Sequence, residues 1–254
     1  MYRISVYNEK GGVGKTTVSV LLASHLAYVK GRRVCVLDFD APTYHFSELR
    51  TSEERFLLNP RSPLSVWMSV NGGTVKPYDV LRVPTTSGSL YQPEEIFPMV
   101  MGIRPEDYDF LIFDFPGRFS QEEPVSLLAA NGCLDFVAIP MDTDTQARRS
   151  ALVIADALHR QGIRCCCFWN RVSAFERSGS AGRLSRGAEP FLQRGIPVMD
   201  AAVREIRKFS RDSDEQLFVR RTMCFPERYV SQWSPSLLPF LESLEDMITQ
   251  DKQR

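Results

Sequence analysis

The chain carries no net charge: 31 lysines and arginines are matched by 31 aspartates and glutamates over 254 residues. Bulk electrostatics therefore gives no reason to expect a polyanionic partner. No apolar run approaches the ~20 residues that span a bilayer. No charged-then-apolar leader precedes the first strand-like segment, so a cytoplasmic protein without membrane contact is expected. Histidine is scarce, with 3 in the chain, and none makes a catalytic case. His25 fits a helix, while His45 and His159 lie in polar surroundings. The 6 cysteines are Cys35, Cys133, Cys165, Cys166, Cys167 and Cys224, and they lack the spacing of a disulfide framework. Adjacent strand residues point to opposite faces, so Cys165 to Cys167 cannot all hold one metal, and reduced core thiols are expected. Internal repeats are absent too. The length suits a single α/β domain over residues 1–254.

What charge there is falls unevenly. Residues 160–228 hold 14 basic residues against 8 acidic ones. A basic C-terminal third points either to nucleic-acid contact or to solvated helix faces. Arg204, Arg207, Lys208 and Arg211 have helical spacing, with Arg220 and Arg221 shortly after, and Glu205, Asp212 and Glu215 could equally pair with them.

Hydrophobic patterning organises the rest. Tyr2 to Tyr7 reads as a buried strand, and Lys15 to Lys30 as a helix stopped by Gly31. Arg33 to Asp38, Asp109 to Asp114, Leu134 to Pro140 and Arg164 to Asn170 read as further strands. Their continuous apolar runs suit parallel strands covered on both faces. Gln146 to His159 and Leu237 to Gln250 read as helices, residues 172–188 as a Ser/Gly/Arg-rich loop, and residues 43–108 give no clean periodicity. Alternating strands and helices predict a doubly wound, mostly parallel sheet flanked by helices.

The segment with most chemistry joins the first strand to the first helix: Asn8-Glu9-Lys10-Gly11-Gly12-Val13-Gly14-Lys15-Thr16-Thr17. Glycines let a backbone wrap phosphate oxygens with its N–H groups turned inward, and a helix starting there adds its positive dipole end. Lys15 would neutralise phosphate and the Thr16 hydroxyl would ligate magnesium. The strict GxxxxGK[ST] pattern needs glycine where Glu9 stands, so the context of strand and helix carries the P-loop assignment. Two strands end in carboxylates: Asp38 and Asp40 close Val36-Leu37-Asp38-Phe39-Asp40, and Asp114 closes Phe110-Leu111-Ile112-Phe113-Asp114. The second has the Walker B form, which holds magnesium through water.

Lys10 before the paired glycines makes the loop resemble the variant KGGVGK[ST] of the ParA/MinD family of dimerising ATPases. The resemblance covers residues 2–42 well, 109–117 and 134–171 by motif and spacing, and little of 43–108. It implies ATP with magnesium on Gly11, Gly12, Val13, Gly14, Lys15, Thr16 and Thr17, and a homodimer formed on ATP binding. Lys10 would reach the partner's phosphates. Asp40 would orient the attacking water, with Asp38 near the magnesium shell, and Asn170 at a strand end would read adenine. Two departures stand out: Ala41 separates Asp40 from Pro42 where the family has DxDPQ, and Pro116-Gly117 stands where it often has threonine and prolines.

Members of that family do different work. A MinD-like membrane helix is disfavoured, because the last helix carries Glu242, Glu245, Asp246 and Asp251, which anionic lipid repels, and capping of the core is expected instead. An iron–sulfur centre of the nitrogenase-iron-protein kind fails, since no cysteine lies between Cys35 and Cys133. The tyrosine-kinase branch lacks its C-terminal tyrosine cluster. What remains resembles the short ParA type, including forms from conjugative transposons: a slow ATPase, stimulated by a ParB-like or other activating protein, that binds DNA nonspecifically through Arg204, Arg207, Lys208, Arg211, Arg220 and Arg221. A small-molecule ligase of the dethiobiotin-synthetase type and a MinD-like positioning ATPase with a protein client are the alternatives.

Overall fold

The computed structural model describes residues 1–41, 43–61, 66, 69, 78–83, 102–104, 106–116, 125, 132–173, 181–205 and 236–250. Strand β1 (Tyr2–Val6) leads into α1 (Lys15–Ser24), which continues as a π-helical turn (His25–Val29), then β2 (Val34–Asp38) and α2 (His45–Leu57). There follow β3 (Asp79–Arg82), β4 (Phe110–Asp114), β5 (Phe136–Met141), α3 (Thr145–Arg160), β6 (Arg164–Trp169), α4 (Ala181–Leu192) and α5 (Leu237–Thr249). The six strands form one sheet in the order β3-β2-β4-β1-β5-β6, and every pairing is parallel. From β1 the chain moves toward β2, and from β4 it moves past β1 toward β5. Neighbouring strands β1 and β4 therefore send their connections in opposite directions, which opens a crevice at their carboxyl ends.

Burial explains the strand sequences. Val34 to Asp38 and Phe110 to Asp114 are buried throughout, because helices cover both faces of the sheet. Ile4, Val6, Val36, Ile112, Cys166 and Phe168 pack on one face with α1 and α5. Cys35, Leu37, Leu111, Phe113, Val137, Cys165 and Cys167 pack on the other with α3 and α4. The three adjacent cysteines thus divide between the faces. Each described cysteine is a free buried thiol, and burial pushes the Cys165 thiol up to about 11. Pro140 sits in β5 beyond the last residue paired with β1, and its carbonyl accepts from Asn8 Nδ2 at 2.7 Å.

Helix α5 caps the core as its pattern predicts, burying Leu237, Phe240, Leu241, Leu244 and Ile248. No described helix is long and apolar enough to cross a membrane. Two expectations need correction. Part of the stretch read as a loop, 181–188, belongs to α4. One of its two glycines has a packing reason: a Cβ on Gly187 would stand 2.7 Å from Trp169 Cη2. Residues 43–108 contain α2 and β3, and α2 is hard to read because a buried Arg50 occupies its inward face. That guanidinium lies 3.8 Å from the Tyr78 ring centre and donates to Tyr28 Oη at 3.0 Å. Cys224, Pro42, Gly117 and residues 174–180 lie outside the described residues.

Candidate functional site

The loop between β1 and α1 is shaped by a left-handed turn and a clamp. Gly12 and Gly14 take positive φ of 78° and 92°, a region open to glycine at little cost. Space around Gly11 and Gly12 is open, whereas a Cβ on Gly14 would meet Asn170 Nδ2 at 2.4 Å. Asn8, fully buried, fastens the loop from below. Its Nδ2 donates to Pro140 O and, at 3.2 Å, to Ala147 O, and its Oδ1 accepts from Lys10 N at 2.9 Å and Ser150 Oγ at 2.7 Å. Motif reading passed over Asn8 because it stands just ahead of the signature.

Lys15 is 7% exposed and its Nζ donates to the Lys10 carbonyl at 3.1 Å. Burial lowers its pKa, and the nearby Asp114 and Asp40 carboxylates oppose the shift. The Thr16 hydroxyl donates to Asp114 Oδ2 at 3.0 Å. Asp114 is fully buried, and its Oδ1 has no hydrogen-bond partner among the described residues. Burial first, then the neighbouring Asp38 charge, pushes its carboxyl up to about 7. An orphaned buried carboxylate oxygen beside a threonine hydroxyl is a donor set that suits magnesium with its retained waters. The phosphate loop opens beside it, so these residues fit a magnesium nucleotide.

Asp38 is the register partner of Asp114 and is fully buried. Its Oδ1 accepts from Asp40 N at 3.1 Å, and its Oδ2 accepts from Ser47 N and Oγ at 2.8 and 2.7 Å. Its carboxylate thus holds the Asp40 turn and the start of α2 while standing beside Asp114. Asp40 Oδ2 lies 2.6 Å from His45 Nδ1, a pairing across 5 residues that no sequence motif signalled.

Toward β6, a cleft of about 220 Å³ is lined by Gly12, Gly14, Thr17, Asn170, Arg171 and Glu205, among others. Asn170 Nδ2 donates to Val13 O at 2.6 Å, which leaves its Oδ1 as the polar atom able to read a base. Arg171, at a positive φ of 59°, donates to Gly12 O at 2.7 Å. Arg204 also lines this cleft. It forms a parallel bridge with Val172, so the helical spacing expected from Arg204 onward does not begin there. An extended Arg204 therefore stands beside the loop, on the wall of this cleft. Arg207, Lys208, Arg211, Arg220 and Arg221 lie outside the described residues. Lys10 Nζ, on the open side of the loop, donates to Gln146 Oε1 at 2.9 Å.

Residues 1–55 match the family described as AAA domain. The chromosome-partitioning ATPase Soj of Thermus thermophilus is 32% identical over 152 residues, 57% of this chain and 56% of that protein. The chain is thus similar, over its phosphate loop and about half of its length, to P-loop ATPases of the ParA/MinD/Soj kind. The septum site-determining protein MinD of Bacillus subtilis is 29% identical over 125 residues, 46% of each chain. The matched stretches thus span about half the length of these curated relatives. Among solved structures, pNOB8 ParA bound to nonspecific DNA superposes with a TM-score of 0.61 at 15% identity, covering 98% of this chain and 99% of that one. At that identity the likeness speaks for the fold, a parallel sheet flanked by helices with the phosphate loop at its switch point.

Proposed function

We propose that the chain is a magnesium-dependent ATPase of the partition or positioning type, which dimerises on ATP and works as a timed switch. The observation that carries this reading is the Lys10 loop itself. Lys15 and Thr16 lie toward Asp114, while the Lys10 ammonium, on the open side, donates to the exposed Gln146 amide and lies near the Asp144 carboxylate. Such a lysine is free to complete a second copy's site.

The residues divide the work. Backbone N–H groups of Gly11 to Thr16 and the α1 terminus hold phosphate oxygens, and Lys15 neutralises them. Thr16, and Asp114 through a retained water, would hold magnesium, which would supply charge compensation at the phosphates. Asp40 orients water for in-line attack, and Asp38 keeps the Asp40 turn in place. Asn170 accepts from the adenine amino group through Oδ1. The Asp114 carboxyl, raised to about 7 when alone, would be held ionised beside a bound cation.

Nonspecific DNA is the client we favour, for partitioning or transfer of plasmid or mobile-element DNA. The basic surplus of residues 160–228 supports it, as does the DNA-bound state of pNOB8 ParA. A ParB-like activator fits slow basal turnover. Retention of duplex DNA should be measured with magnesium and ATP, ADP or no nucleotide, across a salt series, beside Lys10→Ala and Lys15→Ala. Binding that needs ATP, falls steeply with salt and is lost in both variants is the expected result. ATP binding without DNA retention would shift the client to a protein, as for a MinD-like positioning ATPase.

A further inference from the structure

Sequence order brings His45 only five residues after Asp40, yet a flexible loop would not hold them together. Three features of the chain do. Tyr44 takes a positive φ of 45°, a left-handed backbone that costs a non-glycine residue about 1–3 kcal/mol and persists only where its surroundings over-determine it. Those surroundings are visible: Tyr44 N donates to Asp40 O at 2.6 Å, Tyr44 Oη donates to Val83 O at 3.0 Å, and the Arg82 guanidinium lies 5.3 Å from the Tyr44 ring centre. Thr43 Oγ1 donates to the same Asp40 carbonyl at 2.9 Å. The turn folds the chain back on itself, so the next residue faces Asp40.

His45 is then fixed from its other side. It opens α2; Phe46 behind it is buried, and Ser47 is bound through both N–H and hydroxyl to Asp38. The backbone of His45 is anchored by its neighbours, and its imidazole places Nδ1 2.6 Å from Asp40 Oδ2. A carboxylate only accepts, so Nδ1 is the protonated nitrogen. Asp40 itself lies within electrostatic reach of Lys15 and Asp114, which puts it at the phosphate end of the site.

We propose that His45 is a positioning residue for Asp40: it occupies Oδ2, fixes the carboxylate's orientation, and leaves Oδ1 to hold the attacking water. The assignment rests on the reading of Asp40 as the water-orienting group. His45 touches no reacting atom. Its effect is on the chemical step, through the angle at which Asp40 presents its free oxygen, and ATP affinity does not depend on it. The segment after Asp40 departs from the family's DxDPQ through Ala41 and Thr43, and the Tyr44 turn with His45 supplies the missing support.

The test is single-turnover hydrolysis of radiolabelled ATP with magnesium, with ATP affinity read separately by fluorescent-analogue titration. His45 is exposed over 60% of its side chain, so His45→Ala leaves no buried cavity, and thermal unfolding checks that the fold is kept. Expected for His45→Ala is a fall in hydrolysis rate of about tenfold, as for loss of other orienting partners, with ATP affinity within about twofold of the parent. His45→Asn, which returns an N–H donor near the Nδ1 position, should recover most of the rate. In an Asp40→Ala background, His45→Ala should add nothing. If Asp40→Ala abolishes turnover while His45→Ala leaves it intact, His45 is no positioning residue and the reading of Asp40 survives. If Asp40→Ala turns over like the parent, that reading falls and takes the proposal with it. A loss of ATP affinity shared by His45→Ala and His45→Asn would mark a role in local structure and overturn the proposal.

Discussion

Asp114 shows how one side chain can be costly to the empty protein and useful to the loaded one. Its folded carboxyl is held near 7 against an ordinary 3.8, so between those values the native state keeps a proton that the unfolded state has lost. The contribution of Asp114 to stability without nucleotide therefore falls as pH rises from about 4 to about 7. Asp114→Asn removes that loss. At pH 8 the nucleotide-free variant should be more stable than the parent by roughly 1–3 kcal/mol, shrinking toward zero near pH 4, as read from urea midpoints across pH. The same variant should lose magnesium-dependent stabilisation by ATP. A parent whose stability rises between pH 4 and 7 at this residue's expense would count against the burial argument. Gly14 makes a steric prediction beside it. Gly14→Ala meets both a φ of 92° and a contact of 2.4 Å with Asn170 Nδ2. A loss of about 1–3 kcal/mol should accompany a collapse of ATP affinity, measurable by thermal unfolding and nucleotide titration on one preparation.

At the scale of elements, the joint between α1 and α5 carries its own titration. His25 begins the π-helical turn, where Lys30 N reaches back to His25 O at 3.0 Å and Arg32 N to Leu26 O at 2.8 Å. Its side chain is fully buried, and neither ring nitrogen has a hydrogen-bond partner among the described residues. Glu245 of α5 approaches to 3.5 Å, but Lys30 and Arg32 approach the same carboxylate at 3.8 and 3.7 Å. Burial, then the Lys30 charge, lowers His25 to about 4. The unfolded chain takes up this proton near 6.5 and the folded one only near 4, so stability is present above 6.5 and is lost as pH falls toward 4. His25→Leu should flatten that acid limb by about 2–3 kcal/mol at pH 4, read from denaturation midpoints at pH 4 and 7. An unchanged limb would show that His25 is not the group responsible.

Elements also explain what could be read in advance. Five of the six strands, all but β3, were legible because burial leaves a continuous apolar run, as in Val34-Cys35-Val36-Leu37. Helix α2 was not, since its inward face holds Arg50 over Tyr78 and no apolar stripe records that packing. Helix α4 was hidden by Gly182, Gly187 and Pro190, residues that argue against a helix locally; Gly187 is accommodated because Trp169 lies against it. The meeting of Thr16 with Asp114 was legible from the two motifs, while the contacts of Asn8 and His45 join distant or turned-back parts of the chain that motif spacing does not encode.

The whole molecule turns on where Lys10 goes. In the single chain its ammonium rests on Gln146 Oε1, at the start of α3, close enough for its charge to help hold the Asp144 carboxyl below the ordinary carboxylate range; the Ala147 backbone N–H does most of that. In the proposed dimer it must leave this contact to complete a second copy's site. A solvent-exposed hydrogen bond is worth about 0.5–1.5 kcal/mol, so it can slow commitment to the dimer without preventing it. Gln146→Ala frees Lys10 and leaves the phosphate loop untouched. With magnesium and a slowly hydrolysed ATP analogue, its dimer dissociation constant in sedimentation equilibrium should fall by roughly five- to a hundredfold, because both subunits release the contact. Lys10→Ala should fail to dimerise while still binding the analogue. A Gln146→Ala dimer no tighter than the parent's, with Lys10→Ala monomeric as expected, would mean that the resting contact has no part in timing the switch. If Lys10→Ala dimerises like the parent, Lys10 does not act across an interface at all, and the family resemblance of the loop stops at nucleotide binding.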